Sequence, residues 1–179
     1  MNSQMNNRFE CILSHGASLP KRGFPTDSGL DVTIQGYQRM INGKLSEITW
    51  FDEEPEDERN VILFPGRRLI VKTGLRINIP SSDDPNYTFE IQVRPKSGLA
   101  LKQGIMIVNT PGTIDNTYRG DIDILIYNSD IWEQNFIMGQ KIAQLVINRV
   151  YIGDVWEEVT EFKNNTDRST GGFGSTGLF

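Results

Sequence analysis

The sequence contains a single cysteine, Cys11, and a single histidine, His15, among its 179 residues. A zinc site built from cysteine and histidine needs three or four such ligands, so that class of site is excluded. One cysteine also excludes an internal disulfide. Cys11 and His15 lie four residues apart in one polar segment, whereas nucleophile pairs are usually assembled from distant parts of a chain. Enzymatic chemistry would therefore rest on carboxylates, arginine or lysine, hydroxyl groups or a metal held by oxygen.

Positive charge and long apolar runs are also scarce. The sequence has 18 Lys and Arg against 23 Asp and Glu, a net charge of −5, and an acidic chain disfavours broad binding to nucleic acid or membrane surfaces. No apolar run approaches the roughly 18 residues of a membrane span, and Met1–Glu10 lacks the apolar core of a signal peptide. We therefore expect no nucleic-acid partner, no membrane partner and a reducing, cytoplasmic location.

The dominant hydrophobic period is two, in a chain of the length of one domain. Phe89, Ile91 and Val93 alternate with polar residues, which predicts a strand with one buried and one solvated face. Further strands are predicted at 60–64, 68–73, 75–80, 104–109, 120–128 and 141–152. Many short strands separated by turn signals predict an all-β barrel or sandwich. One short helix is predicted over Lys96–Gln103.

Two segments depart from this pattern. Residues 52–58 read DEEPEDE and are either a solvated loop, because like charges repel and cannot be buried unpaired, or a cation site. Residues 164–179 are rich in Gly, Ser and Thr, which is typical of a flexible tail. The same tail holds Arg168, Phe173 and hydroxyl residues among its glycines, a set that can wrap a polyphosphate and stack on a base. We expect a β domain over 1–163 and a tail over 164–179.

Several short segments carry side chains suited to catalysis. In NTPGTIDNTYRGDI (109–122), Asp115 either caps a turn or acts as a general base beside Tyr118 and Arg119. In RPKSGLA (94–100), Ser97 either caps the helix or joins Arg94 and Lys96 in binding an anion.

Two further segments carry polar residues of this kind. In TDSGLDV (26–32), the carboxylates of Asp27 and Asp31 either shape a turn or lie near Mg²⁺. Gln144 interrupts the apolar strand GQKIAQLVI (139–147), and a buried Gln must find partners.

Taken together and in this order, these motifs resemble the homotrimeric dUTPase family. The resemblance runs through five segments: Asp27–Val32, Arg94–Ala100, Asn109–Gly120, Gly139–Val146 and Arg168–Gly177. It also includes ASLPKRG (17–23) and FPGRRLIVKTGLRINIP (64–80). It implies a jelly-roll-like β-barrel, a homotrimer with shared active sites, and hydrolysis of dUTP to dUMP and pyrophosphate with Mg²⁺ as cofactor.

The resemblance also assigns roles to individual residues. Asp115 aligns with the general base, Tyr118 with the ring under the deoxyribose, and Asp31 with the carboxylate that holds waters of Mg²⁺. Asn109 and the backbone of a hairpin over 104–114 align with the edge that reads uracil. The remaining aligned substrate contacts are Lys96, Ser97, Gly98, Gly112, Thr113, Ile114, Gln144, Arg168, Phe173, Gly174, Ser175 and Thr176.

The sequence departs from the family at two places. Position 96 is Lys where the family usually has Arg, which keeps the charge but loses the bidentate fork. Residues 33–64 form a longer insert than the family usually has, and we expect an extended hairpin or surface loop that leaves the site intact.

Two other functions stay open. One is that of a dCTP deaminase relative with the same fold, and the other is a nucleotide-switched regulator that binds a protein partner through the insert.

Overall fold

A computed structural model describes residues 8–163 and residue 166. Within them the chain forms fifteen strands, one α-helix and two short 3₁₀ turns, the latter at Phe51–Glu53 and Glu56–Glu58. The helix α1 spans Ser97–Gln103. The strands are β1 (Glu10–Leu13), β2 (Gly29–Thr33), β3 (Gly36–Gln38), β4 (Met40–Ile41), β5 (Lys44–Leu45), β6 (Thr49–Trp50), β7 (Asn60–Leu63), β8 (Arg68–Lys72), β9 (Leu75–Asn78), β10 (Tyr87–Pro95), β11 (Ile105–Ile107), β12 (Gly112–Ile114), β13 (Asp123–Asn128), β14 (Gln134–Ile137) and β15 (Lys141–Tyr151).

Two antiparallel sheets dominate the described part of the chain. The first has four strands in the order β12-β10-β15-β2, and the second has five in the order β11-β13-β8-β3-β6. Three two-stranded pairs, β1-β9, β14-β7 and β4-β5, complete the sheet structure of these residues. The longest pairing joins β10 to β15, with Tyr87 opposite Tyr151 and Pro95 opposite Ala143.

A single hydrophobic core draws side chains from both main sheets. Ile91 and Val93 of β10 are buried as their alternation predicts, and so are Ile124 and Ile126 of β13. Alternation is the periodicity expected when each sheet turns one face toward the other and one toward solvent. The prediction of an all-β, jelly-roll-like fold with one short helix is therefore confirmed.

The helix carries the chain from the first sheet to the second. It follows β10 directly and ends at Gly104, whose φ of 60° is left-handed. A Cβ at Gly104 would lie 2.8 Å from the backbone nitrogen of Asp130, so both conformation and space require glycine there. This crossover places Lys96 between the end of β10 and the start of α1. None of the helices in the described residues is long and apolar enough to cross a membrane.

The insert over 33–64 contributes strands as well as loops. β3 and β6 add to the edge of the five-stranded sheet, and β4 and β5 form a small hairpin between them. Phe51 is fully buried in the core, whereas the acids of 52–58 are exposed except for half-buried Glu54. The insert is thus anchored at one aromatic side chain, and its acidic run is solvated as one of the two alternatives predicts.

Candidate active site

Strand register brings three of the predicted site residues to one level of the four-stranded sheet. Asp31 of β2 lies opposite Gln144 of β15, and Gln144 lies opposite Arg94 of β10. Residues directly opposite each other in antiparallel strands project from the same face of the sheet. Lys96 follows two residues after Arg94 on the same side of the backbone. Polar side chains from three of the predicted segments, 27–32, 94–100 and 139–146, therefore lie at this level of the sheet.

Asp31 is the centre of an ion-pair cluster. Its Oδ1 accepts a hydrogen bond from Lys96 Nζ, and its Oδ2 lies 2.7 Å from Lys141 Nζ. Burial raises the pKa of Asp31, but the hydrogen bonds and charges of Lys141 and Lys96 outweigh it, so the pKa lies below its ordinary value of 3.8. Two cations against one carboxylate leave a local charge of about +1, which favours an approaching polyanion.

Gln144 packs against Gly29 on the neighbouring strand. A Cβ at Gly29 would lie 2.7 Å from Gln144 Oε1 and 3.0 Å from Gln144 Cβ, so a larger residue at position 29 would displace the Gln144 side chain. Within the described residues the Gln144 amide makes no hydrogen bond. A half-buried amide without partners is suited to bind a polar ligand.

The other residues of the second predicted segment have different surroundings. Ser97 and Gly98 are exposed at the start of α1. The helix begins after Lys96 without a side-chain cap, so the interpretation of Ser97 as an N-cap is wrong and its hydroxyl remains available. Arg94 donates hydrogen bonds to Gln92 Oε1 at 2.7 and 3.1 Å. Its guanidinium lines a surface cavity of about 520 Å³ together with Asp27.

The Asp27 carboxylate serves a turn. Its Oδ2 accepts a hydrogen bond from the Phe24 backbone N–H at 2.8 Å. Arg22 donates to the backbone carbonyls of Asp27 and Ser28. Of the two carboxylates in this segment, Asp27 therefore shapes the loop, and Asp31 is the one that faces cations.

A second cluster surrounds Asp115 at the end of β12. A cavity of about 180 Å³ is lined by Thr113, Ile114, Asp115, Tyr118, Asp121, Ile122 and Asp123. The Asp115 carbonyl accepts a hydrogen bond from the Tyr118 backbone N–H at 3.0 Å, which closes a turn. No described residue donates a hydrogen bond to the Asp115 carboxylate. A turn-capping aspartate would accept one, so the capping interpretation is wrong and the carboxylate has no hydrogen-bond donor within the described residues.

Tyr118 stands half exposed beside this cavity. Its hydroxyl donates to the Asp121 carbonyl at 3.0 Å and approaches Gly120 so closely that a Cβ there would lie 2.4 Å away. Arg119, the other neighbour considered for Asp115, donates to the carbonyls of Asn116 and Tyr118. The Arg119 guanidinium therefore holds the turn, and the ring of Tyr118 is the side chain that accompanies Asp115.

The prediction of a hairpin over 104–114 is wrong. β11 pairs with β13 in one sheet, whereas β12 pairs with β10 in the other. Each strand finds a longer partner in a main sheet, so the segment crosses between the sheets and is not paired with itself. A turn with Thr110 N–H donating to Ile107 carbonyl oxygen makes the bend. Asn109 is exposed at this bend, and a Cβ at buried Gly112 would lie 3.3 Å from its Nδ2.

The two clusters lie apart within one chain. Ile114, which precedes Asp115, is opposite Ile91 of β10, while Lys96 lies five residues further along that strand. At about 3.4 Å per residue this places the two clusters about 17 Å apart along the backbone. This separation is several times the distance of about 3 Å between a general base and the group from which it accepts a proton.

Lys141 belongs to the Asp31 cluster but was not predicted as a site residue from the sequence. The sequence predicts Lys141 only as part of a strand. A bulge between Lys141 and Ala143, where β15 pairs with β2, brings the Lys141 ammonium group to Asp31.

Cys11 and His15 do not form a nucleophile pair in this structure. Burial raises the pKa of the Cys11 thiol, which lowers its reactivity, and His15 contacts Asp52. The predicted tail residues Arg168, Phe173, Gly174, Ser175 and Thr176 lie outside the described residues.

The Asp31 carboxylate is suited to hold Mg²⁺ only through water molecules, not by direct coordination. Both oxygens of Asp31 already face an ammonium group, and a carboxylate has further lone pairs for water. The local positive charge opposes a bare cation, whereas a bound triphosphate would bring the negative charge that Mg²⁺ needs. Asp31 is therefore suited to hold metal-bound waters once a polyphosphate is present.

Comparison with known proteins gives a consistent result. A family model described as dUTPase matches residues 57–177. A deoxyuridine 5'-triphosphate nucleotidohydrolase of Thermoanaerobacter sp. is 44% identical over 153 residues, which cover 86% of this chain and 94% of the relative. One from Roseobacter denitrificans is 44% identical over 117 residues, covering 65% and 72%.

Solved structures agree on the fold. A mutant dUTPase of Staphylococcus bacteriophage 80alpha with dUpNHpp has a TM-score of 0.72 at 22% identity, covering 96% of this chain and 99% of the other. A mutant dUTPase from phage phi11 of S. aureus, whose structure reports coordination of a structural Mg(II) ion, has a TM-score of 0.64 at 22% identity, covering 88% and 100%.

Proposed function

The chain belongs to the dUTPase family, and from that membership we propose that it hydrolyses dUTP to dUMP and pyrophosphate. This reaction keeps uracil out of DNA and supplies the precursor of dTMP. The observation that carries the proposal is the free carboxylate of Asp115, which faces a cavity beside the ring of Tyr118.

Asp115 would act as the general base. Its carboxylate accepts a proton from water as the water oxygen bonds to the α-phosphorus, and the bond from that phosphorus to the bridging oxygen breaks to release pyrophosphate. A carboxylate that accepts no hydrogen bond from the described chain keeps its lone pairs for this water. Positioning and proton transfer are the main services that hydrolysis of a phosphoanhydride requires.

Selectivity for the nucleoside would come from the 109–118 segment. The half-exposed ring of Tyr118 would pack under the deoxyribose, where it would leave no room for a 2'-hydroxyl. Asn109 and the backbone around Gly112, Thr113 and Ile114 would read uracil. Fixed donors and acceptors reject a base whose pairing edge is reversed, because buried polar groups would then stay unpaired.

The phosphates would bind to the Asp31 cluster. Lys96 supplies charge, Ser97 and Gly98 supply an exposed hydroxyl and backbone, and Gln144 supplies an unpartnered amide. Mg²⁺ held through water near Asp31 would neutralise charge on the phosphate oxygens. We further propose that Arg168, Phe173, Gly174, Ser175 and Thr176 close over the nucleotide and exclude water.

The separation between the two clusters supports a homotrimer with shared sites. If Asp115 of one chain meets the Asp31 cluster of another, the backbone distance of about 17 Å within a chain is no obstacle. A protein partner that binds the insert over 33–64 stays a prediction.

Substrate selectivity tests the proposed reaction. Pyrophosphate release is measured with dUTP, dCTP, dTTP and UTP in the presence of Mg²⁺, and we expect turnover of dUTP to exceed the others by orders of magnitude. Comparable rates on UTP or dTTP would contradict the proposed reading of sugar and base. Release of ammonia from dCTP would assign the chain to deamination instead.

Mixed subunits test the shared site. Asp115→Asn and Lys96→Met should each be nearly inactive alone. Mixing them in equal amounts and letting the subunits exchange should restore activity in about a quarter of the sites, because those sites combine an intact Asp115 with an intact Lys96. No recovery, with exchange verified by mass, would show that each chain uses its own two residues.

A further inference from the structure

His15, Asp52 and Glu53 meet where the insert returns to the body of the protein. His15 Nδ1 lies 3.1 Å from Asp52 Oδ1 and 3.7 Å from Glu53 Oε1. One nitrogen and two carboxylate oxygens thus lie within 4.8 Å of one another. All three residues precede residue 57, where the match to the dUTPase family model begins, and the proposed reaction uses none of them.

The backbone on both sides of this group is fixed. The His15 ring stacks on Trp50, with centroids 3.8 Å apart and an interplanar angle of 6°. Its turn is held by a hydrogen bond from the Ser14 N–H to the Gly74 carbonyl at 2.9 Å. Asp52 and Glu53 follow Phe51, which is fully buried and donates its backbone N–H to Gln35. The three side chains are therefore brought together by the core and not by their mutual attraction alone.

The distances from His15 Nδ1 to the two carboxylates are close to those between ligands of one divalent ion. Ligand atoms about 2.1 Å from a metal are about 3.0 Å apart in an octahedral site and about 3.4 Å apart in a tetrahedral one. Of the two distances from His15 Nδ1, 3.1 Å lies within this range and 3.7 Å lies slightly beyond it. Metal binding requires only small movements of the carboxylates of Asp52 and Glu53, which are exposed enough to make them.

Two features of the surroundings favour an ion with bound water. The run 52–58 places six acids at this edge of the sheet, which raises the local concentration of cations. Gln35, whose carbonyl accepts the Phe51 N–H, is 2% exposed, and no described group donates to its Oε1. That oxygen lies near the His15 turn, 3.7 Å from the position of a Cβ on Gly16. An unpartnered buried acceptor calls for a water, and a metal-bound water is a strong donor.

We propose that His15 Nδ1, Asp52 and Glu53 bind a divalent transition-metal ion, with water completing the coordination. Imidazole together with carboxylates suits Zn²⁺, Co²⁺ or Mn²⁺, whereas Mg²⁺ prefers oxygen alone. The neutral imidazole offers the lone pair of Nδ1 to the ion with its ring hydrogen on Nε2, so bonds to the metal take the place of the contact between Nδ1 and Asp52. Bound in this place, the ion ties the insert to the turn that carries His15.

Direct titration tests this site in the full-length protein. Chelator-treated protein without nucleotide is titrated calorimetrically with Zn²⁺, and Co²⁺ is followed by its visible absorption. We expect one equivalent to bind, a higher melting temperature with the metal, and at least a tenfold weaker affinity in His15→Gln and in Asp52→Asn. Asp57→Asn is the matched control, because it removes a charge from the same run without touching His15.

Two results would overturn the proposal. Equal weakening by Asp57→Asn and Asp52→Asn would show that the acidic run binds cations by charge alone. Absence of stoichiometric Zn²⁺ or Co²⁺ binding in the wild type would show that His15 and Asp52 form a plain hydrogen-bonded pair. Hydrolysis of dUTP by each variant verifies that it is folded, since none of these residues belongs to the proposed active site.

Discussion

The substitution Asp115→Asn separates the chemistry of the proposed reaction from substrate binding. Asparagine keeps the shape of aspartate but accepts no proton at neutral pH. General-base catalysis contributes about 10²–10⁴-fold to a rate. We therefore expect kcat to fall by that factor, which corresponds to about 2.7–5.5 kcal/mol of activation free energy.

The same substitution should barely affect the fold. The Asp115 side chain is exposed and accepts no hydrogen bond from the described residues, and its turn is closed through the main chain by Tyr118. Changes at such positions usually alter the free energy of unfolding by about 0.5 kcal/mol or less. The Kd for a non-hydrolysable dUTP analogue should accordingly stay within about threefold of wild type.

The assay compares kcat with Kd in two variants. Pyrophosphate release at saturating dUTP and Mg²⁺ gives kcat, and calorimetric titration with the analogue gives Kd. Asp121→Asn is the matched control: Asp121 lines the same cavity and is also exposed, and its carboxylate lies 3.8 Å from Arg76. Its kcat should change little. A retained kcat in Asp115→Asn, or an equal loss in Asp121→Asn, would refute the assignment of Asp115 as base.

Four other outcomes follow from the contacts described. Lys141→Met should raise KM for dUTP by about tenfold with a smaller effect on kcat, since it removes a cation beside the proposed phosphate site; steady-state kinetics measure the split. Truncation before Arg168 should lower kcat/KM sharply and leave the melting temperature unchanged, as calorimetry and activity together would show. Phe51→Ala should cost about 3–5 kcal/mol in urea unfolding, whereas Ile131→Ala at a 78% exposed position should cost little. Asp31→Asn removes a carboxyl group whose pKa is lowered in the folded protein. The stability that Asp31 adds is therefore full above the unfolded pKa of 3.8 and is lost as pH falls through the lower folded pKa. Unfolding of wild type and variant from pH 7 to pH 3 should show the difference in their free energies of unfolding shrinking as the pH falls.

Most of the fold could be predicted because its strands bury one face. The alternation of Ile91 and Val93, or of Ile124 and Ile126, already identifies the core side of each strand. The predicted helix differs from the observed one by a single residue, Lys96, which is the extended residue preceding α1. The local sequence pattern does not show which strands pair with each other. For this reason 104–114 was predicted as a hairpin, although its two strands belong to different sheets.

The candidate site residues that could be predicted are those whose local sequence motif already indicates their chemistry. Asp115 and Tyr118 could be proposed from a turn motif, and the structure argues against capping because no described residue donates to the Asp115 carboxylate, while catalysis stays a prediction. Lys141 could not be identified, because its role depends on register with β2 and on a bulge. The distance between the Asp31 cluster and Asp115 also depends on strand register, so it could not be predicted from the sequence.

The insert concentrates the charge of the protein at one edge. Its residues 50–53 are tied down in three different ways: Trp50 pairs with Gly36, Phe51 fills the core, and Asp52 reaches His15. Because these contacts involve consecutive residues, together they hold the first acids of the run in place. Six of the 23 acids lie in 52–58, and the remaining 17 are balanced by 18 bases. The negative charge therefore belongs to the edge of the five-stranded sheet, which leaves the cations of the four-stranded sheet free to attract a polyphosphate.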